Sequence, residues 1–298
     1  MTSTPYPRSS GERAAASAVV IPVRLPAAGI RQDLRAVKVV CHRELIRFWH
    51  DKARIVSSLL QPLLFLFVLG TGLSSLAPRT GEVNYRTFLF PGVLATSVLF
   101  TAVFSGVSMV WDREFGFLRE MLVAPVRRWA IVVGKCLGGA IVATLQSFVL
   151  IALGGVVGVP YSVGLMLELA LLLFVISFSV TAFGLVLAAR VTKMQTLMPI
   201  IQLILAPMMF LSGAMFPLVN LPIWLTALTM VNPLTYAVGP MRALVFGHLN
   251  LDPVTRAALD PGVSWWGWHV PELLQVAMVI GIGGALLAVA AALFSRTE

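Results

Sequence analysis

The sequence predicts an all-α polytopic membrane protein with six transmembrane helices. Three observations carry that reading. Of 298 residues only 12% are charged and 58% are hydrophobic, with a mean hydropathy of +0.90, whereas a soluble domain carries about a quarter charged residues. Apolar runs that reach the ~20 residues needed to cross a hydrocarbon core recur along the chain. Lys and Arg gather in alternate connectors rather than evenly, as in chains that cross a bilayer repeatedly. To the six spans the sequence adds an N-terminal amphipathic interface helix, a charged cytosolic helix and an outer re-entrant helical hairpin.

Residues 1–30 are rich in Pro, Ser, Ala and Arg and read as a disordered cytosolic tail. The run "AAASAVVIPV" faintly resembles a signal peptide, but Pro22, Arg24 and Pro26 interrupt it. Residues 31–52 read as a helix. Leu34, Val37, Cys41, Leu45 and Phe48 recur at three- and four-residue spacing and form an apolar stripe flanked by Arg31 and Lys38. Such a helix lies in a membrane interface, either to fix topology or to touch a cytosolic partner as well. Residues 53–298 hold the six spans, at about 55–77, 87–110, 130–157, 163–189, 195–216 and 271–294.

Basic residues orient them. Ten precede the first span: Arg8, Arg13, Arg24, Arg31, Arg35, Lys38, Arg43, Arg47, Lys52 and Arg54. Arg113, Arg119, Arg127 and Arg128 lie between spans 2 and 3, Arg190 and Lys193 between spans 4 and 5, and Arg296 after span 6. The opposite side has Arg79, Arg86, Arg242 and Arg256. The positive-inside rule therefore places both termini in the cytoplasm of a multi-pass plasma-membrane protein. The tryptophans agree: Trp49, Trp111 and Trp129 fall at expected cytoplasmic ends, and Trp224, Trp265, Trp266 and Trp268 on the outer side. This distribution accounts for the net charge of +9 without nucleic acid.

The stretch "WDREFGFLREMLVAPVRRW" (111–129) interrupts the oil with charge. Asp112 is expected to cap a helix start, with Glu114 in its first turn, Phe115, Leu118 and Leu122 along one face, and Pro125 at its end. This helix either rests on headgroups or docks a partner. On the outer side, residues 217–248 are too apolar for a free loop and too broken by Pro217, Pro222, Pro233 and Pro240 for a crossing helix. A re-entrant or interfacial hairpin fits, with Asn232, Pro233 and Tyr236 at its turn.

Polar residues inside the spans are few. Glu168, near the outer end of span 4, either snorkels, walls a pathway with Gln146 and Gln202, or forms an intersubunit pair. Midspan amides, Gln61 among them, are more often glue between helices. Lys135, near the inner end of span 3, reads as a snorkelling cation. Cys41 and Cys136 argue for no disulfide, and the four scattered histidines for no metal site.

One family fits these features. Pro91-Gly92, Asp112-Arg113-Glu114, Gly116, Ala124-Pro125 and Gly134-Lys135, together with "NPLTYAVGPMRALVFG" (232–247), resemble the permease subunits of type-2 ATP-binding-cassette transporters, in their daunorubicin-resistance-like branch. The acid usual in the second motif is replaced by Gly239-Pro240. The resemblance implies that 53–298 is a permease domain and that the charged helix is a coupling helix. Asp112, Arg113, Glu114, Phe115, Gly116, Leu118 and Arg119 would then meet an ATP-binding subunit. It implies two copies of that ATPase, a second permease copy (identical or similar) and surrounding lipid, and export of a hydrophobic or lipid-linked substrate or drug. No G-x-x-x-x-G-K-[ST] motif occurs, so no ATP is expected on this chain, and ATP with Mg belongs to the partner. The chain is then no enzyme. An intramembrane enzyme would need paired His, acid or Ser groups within spans, and an ion-coupled transporter needs midspan acids that are nearly absent here.

Overall fold

The computed structural model describes residues 29–74, 85–117, 126–218, 221–249, 255, 259–260, 262–265 and 267–296. The expected tail at 1–28 lies outside them. The first helix, α1 (Ile30–His50), stops at Asp51, whose backbone leaves helical geometry. The Asp51 carboxylate then accepts the Arg54 backbone N–H at 3.0 Å and so caps α2 (Lys52–Leu64), a role worth about 1 kcal/mol. Pro62 sits inside α2, which continues as a π-helical turn over Phe65–Leu69 and a short α3 (Gly70–Ser74).

The remaining long helices are α4 (Tyr85–Glu114), α5 (Arg128–Ala152), α6 (Val163–Arg190), α7 (Met194–Leu211) and α10 (Glu272–Arg296). With Lys52–Gly72 they give, among the described residues, six helices long and apolar enough to cross a membrane. The protein is thus an all-α multi-pass membrane protein. Two shorter helices, α8 (Ile223–Val231) and α9 (Thr235–Gly247), and a two-residue β-hairpin, β1 (Ser264–Trp265) with β2 (Trp268–His269), lie between α7 and α10.

α4 is the centre. Its most apolar window is 89% buried, against 17% for α2 and 17% for α10. Small residues make that position possible. A Cβ on Gly106 would lie 2.5 Å from the Thr181 carbonyl oxygen, and one on Gly184 would lie 2.7 Å from that of Val103. The α4 and α6 backbones therefore cross with no room for a side chain, the packing that small residues permit between membrane helices. Gly92 meets the Ala214 backbone in the same way and brings α4 against the turn that follows α7.

At the end of the bundle away from α1, that turn is tied down by polar groups. Gly213 has φ +76°, which favours glycine. Its carbonyl accepts from the buried Arg242 guanidinium, which also sits over the Phe88 ring at 4.4 Å. Burial lowers the Arg242 pKa to about 10, opposed by Asp260 and Tyr85, so the group stays charged at neutral pH. Tyr85 donates to the Met215 carbonyl at 2.7 Å. The α8–α9 turn supplies donors to the free carbonyls at the end of α7: Asn232 Nδ2 to Met208 at 2.8 Å and Thr235 Oγ1 to Leu211 at 3.2 Å. Asn232 and Pro233 form this turn, where the Leu234 N–H bonds back to Asn232 Oδ1 at 3.1 Å. Tyr236 donates to Met230 at 2.6 Å and accepts from Trp265 Nε1 at 2.9 Å, linking α8, α9 and the β-hairpin.

α1 presents Asp33, Val40, Glu44 and Phe48 inward, a face rotated from the apolar stripe because two acids on it have basic partners, while Leu34 is 59% exposed. One expectation needs correction. Asp112 does not start a helix. It lies in the last turn of α4, because nothing breaks the helix between Val110 and Glu114.

The crossing of α4 and α6 yields a test. Gly106→Val should force the two backbones apart, destabilise the protein by about 1–3 kcal/mol and lower its melting temperature in detergent. Gly281→Ala is the control, since a Cβ there meets nothing within 4 Å.

Candidate functional site: a buried charge cluster at the end of α4

Helix α1 runs alongside α5. A Cβ on Gly134 would approach the Val37 carbonyl and the Val40 Cβ to 2.9 Å, and one on Gly138 the Glu44 Cβ to 2.9 Å. The two glycines, four residues apart on one face, form the groove in which α1 lies. Lys135, next to the first of them, is therefore sealed off. It is 0% exposed.

Its ammonium donates to Glu44 Oε1 at 3.1 Å and to Asp112 Oδ2. Asp112 accepts further bonds from Arg43 at 3.0 Å and Arg47 at 3.2 Å, and Arg43 also reaches Glu44 at 3.2 Å. Lys135 is thus no snorkelling cation. α1 covers the route to water, and two carboxylates replace the lost hydration. The cluster joins α1, the last turn of α4 and α5, with the two arginines at its half-exposed rim. Removing one partner of such a buried pair leaves an uncompensated charge and is costly. A second link holds the start of α5, where the Arg127 guanidinium and backbone N–H both meet Asp33, at 3.6 and 3.3 Å.

Arg113 points the other way. It donates to the carbonyls of Ala188 and Val191 at 3.4 Å, at the end of α6, and lies over the Phe294 ring. Arg128 does the same at the end of α10, reaching Phe294 and Ser295 carbonyls at 3.4 Å. Both place a cation where helix dipoles end in partial negative charge. The end of α4 is therefore clamped on two sides. Just beyond the clamp Glu114 is exposed, Phe115 is 70% exposed and Phe117 52%. Gly116 has φ +82°, and a Cβ there would meet nothing. Its glycine lets the backbone turn out of α4, and the open space beside it leaves the backbone accessible. Leu118 and Arg119 lie outside the described residues.

The other candidates are not brought together. Gln146 is buried in α5, with no partner for its Nε2 among the described residues. Glu168 is exposed on α6 and Gln202 is exposed on α7. The residues that sequence reasoning missed are Glu44, Arg43 and Arg47. A signal was present: a lysine inside an apolar span, flanked by glycines at 134 and 138, announces a close helix that carries an acid.

The model of the family described as "ABC-2 type transporter" matches residues 35–246, which include Arg43, Glu44, Arg47, Asp112 and Lys135. The chain belongs to the ABC-2 type transporter family. The comparison extends to named proteins. Over 254 residues it is 30% identical to a "Putative transport permease ycf38" of Cyanophora paradoxa, covering 84% of this chain and 86% of that one. It is 31% identical over 205 residues to "Nodulation protein J" of Rhizobium leguminosarum bv. trifolii, covering 67% and 77%. A "Probable doxorubicin resistance ABC transporter permease protein DrrC" of Mycobacterium tuberculosis is 24% identical over 263 residues, covering 87% and 93%. An ABC-2 chain is the permease component of its transporter and not itself the catalyst. Membership implies an ATP-binding-cassette ATPase as partner.

Replacing Lys135 tests the clamp. Lys135→Met should cost about 3–5 kcal/mol, seen as a lower melting temperature and lower membrane yield. Adding Glu44→Gln should recover part of the loss. Equal melting temperatures for wild type and Lys135→Met would refute a stabilising cluster.

Proposed function

We propose that this ABC-2 permease is one half of an exporter that moves a hydrophobic or lipid-linked compound, or a drug, out of the cytoplasm. Two copies of a separate ATP-binding subunit drive it, and a second permease copy, identical or similar, completes the pathway. ATP and Mg are held by the partner. The α1 end faces the cytoplasm and the α8–α9 segment with the β-hairpin faces outward, in the plasma membrane. Support for the cargo class comes from the apolar spans and from the likeness to a relative named for doxorubicin resistance. Support for orientation comes from the basic residues gathered at the α1 end, Arg43, Arg47, Arg113, Arg127 and Arg128 among them.

One observation carries the coupling reading: Glu114, Phe115 and Phe117 are exposed immediately after a helix end that is clamped on both sides. An ATPase that grips these residues pushes on a stiff body. Asp112 and Arg113 belong to the permease side of that joint; Glu114, Phe115 and the turn at Gly116 belong to its docking face, continued by Leu118 and Arg119.

Glu114→Lys reverses a contact charge, and Gly116→Trp both blocks the approach and strains the turn. Each should insert at normal abundance yet lose co-purification with the ATPase or ATP-driven transport. Phe115→Ala should weaken docking by about 1.5–3 kcal/mol, while Val126→Ala should do little. Full assembly and transport in both Glu114→Lys and Gly116→Trp would sink the coupling role.

Orientation has its own test, in a chain with Cys41 and Cys136 replaced. A membrane-impermeant thiol reagent added to intact cells should label Ser264→Cys and spare Glu114→Cys. The reverse pattern would invert the topology.

A further inference from the structure

A cleft of about 460 Å³ opens between α2 and α4, beside the clamp. That volume is within the ~300–1,000 Å³ typical of ligand pockets. Its lining is unusual for a membrane segment. Among the described residues, the guanidinium of Arg54, the amide of Gln61 and the hydroxyls of Ser97 and Thr101 line it and have no hydrogen-bonding partner. Ser97 and Thr101, one helical turn apart on α4, are buried at 3% and 6% exposure. In hydrocarbon an unsatisfied polar group costs several kcal/mol. Four such donors converging on one space call for a ligand rich in oxygen.

Charge fixes which kind. At the α1 end the cleft holds Arg47 and Arg54 against Asp51. Arg47 gives one guanidinium nitrogen to Asp112, and Asp51 accepts the Arg54 backbone N–H; Asp51 and Glu44 act on the Arg54 guanidinium through space, but no carboxylate among the described residues hydrogen-bonds to it. Ser57 and Ser58 give their hydroxyl hydrogens to the carbonyls of Arg54 and Ile55 and leave only lone pairs facing the space. From Arg54 to Gln61 the helix rises ~10 Å. Phe100 and Phe104 supply an apolar wall along that depth. The arrangement has a cationic end, neutral donors deeper in, and aromatic surface beside them.

We propose that this cleft binds an anionic glycerophospholipid. The phosphate is held at Arg54, the ester and glycerol oxygens take the Gln61, Ser97 and Thr101 donors, and an acyl chain lies along Phe100 and Phe104. The site needs only the membrane-spanning chain and is independent of how an ATPase docks. Because α2 is the loosely packed wall, a bound lipid would hold it against α4.

The test uses the full-length permease reconstituted in nanodiscs of equal parts phosphatidylglycerol and phosphatidylcholine, with retained lipid counted by native mass spectrometry. Wild type should retain phosphatidylglycerol at least about tenfold over phosphatidylcholine, roughly 1.4 kcal/mol. Arg54→Gln and the near-isosteric Thr101→Val should each abolish most of that preference while melting like wild type. Added inorganic phosphate should not displace the lipid. Equal retention of the two lipids, or an unchanged preference in both folded variants, overturns the site. Displacement by inorganic phosphate alone overturns the lipid as its occupant.

Discussion

An ammonium group stripped of water has to be neutralised where it stands, and the way Lys135 meets that demand organises one whole end of this molecule. Its partners come from two other helices. Glu44 fixes the rotation of α1 against α5, and Asp112 fixes the last turn of α4 against both. The requirement overrides apolar patterning: α1 turns its acids inward and leaves Leu34 outside. A hydrophobic seam would tolerate sliding by a turn, since one apolar neighbour resembles the next. A buried ion pair tolerates none, because each displaced charge is left without a counter-ion.

The glycines complement the charges. Gly134 and Gly138 let α1 approach closely enough for Glu44 to reach Lys135, and Gly106 and Gly184 bring α4 and α6 into backbone contact. Without a hydrophobic force between helices in lipid, close packing and polar links have to supply association. This permease concentrates the packing around α4 and the polar links at its two ends. The Arg242–Phe88–Gly213 arrangement does at one end what the Lys135 cluster does at the other.

Much of the fold was legible. Six apolar runs, the basic connectors and the prolines of residues 217–248 each have a direct physical meaning. The turn at Asn232–Pro233 lies where its residue types put it. The site was less legible, because pairing across sequence has no local signature. Asp112 has the composition of a helix cap, and only the unbroken run before it reveals a helix end. Lys135 had the depth of a snorkelling residue, and although the glycines at 134 and 138 announce a close helix, nothing near them in sequence says which helix it is. Gly116 carries no local sign of left-handed backbone, and only the observed φ reveals it.

The single non-helical residue between α1 and α2 has a mechanical consequence. Asp51 separates two rods with no slack between them: α1 is bolted to α5 by ion pairs, while α2 is scarcely embedded in the bundle. A displacement carrying α1 and α5 together would find little length of chain at this joint to take it up, and α2 is the neighbour free to follow. Among the spans described, α2 is also one of the least costly to displace, because little of its surface leaves protein for lipid. The joint therefore has the layout of a bell-crank, a fixed arm meeting a free one.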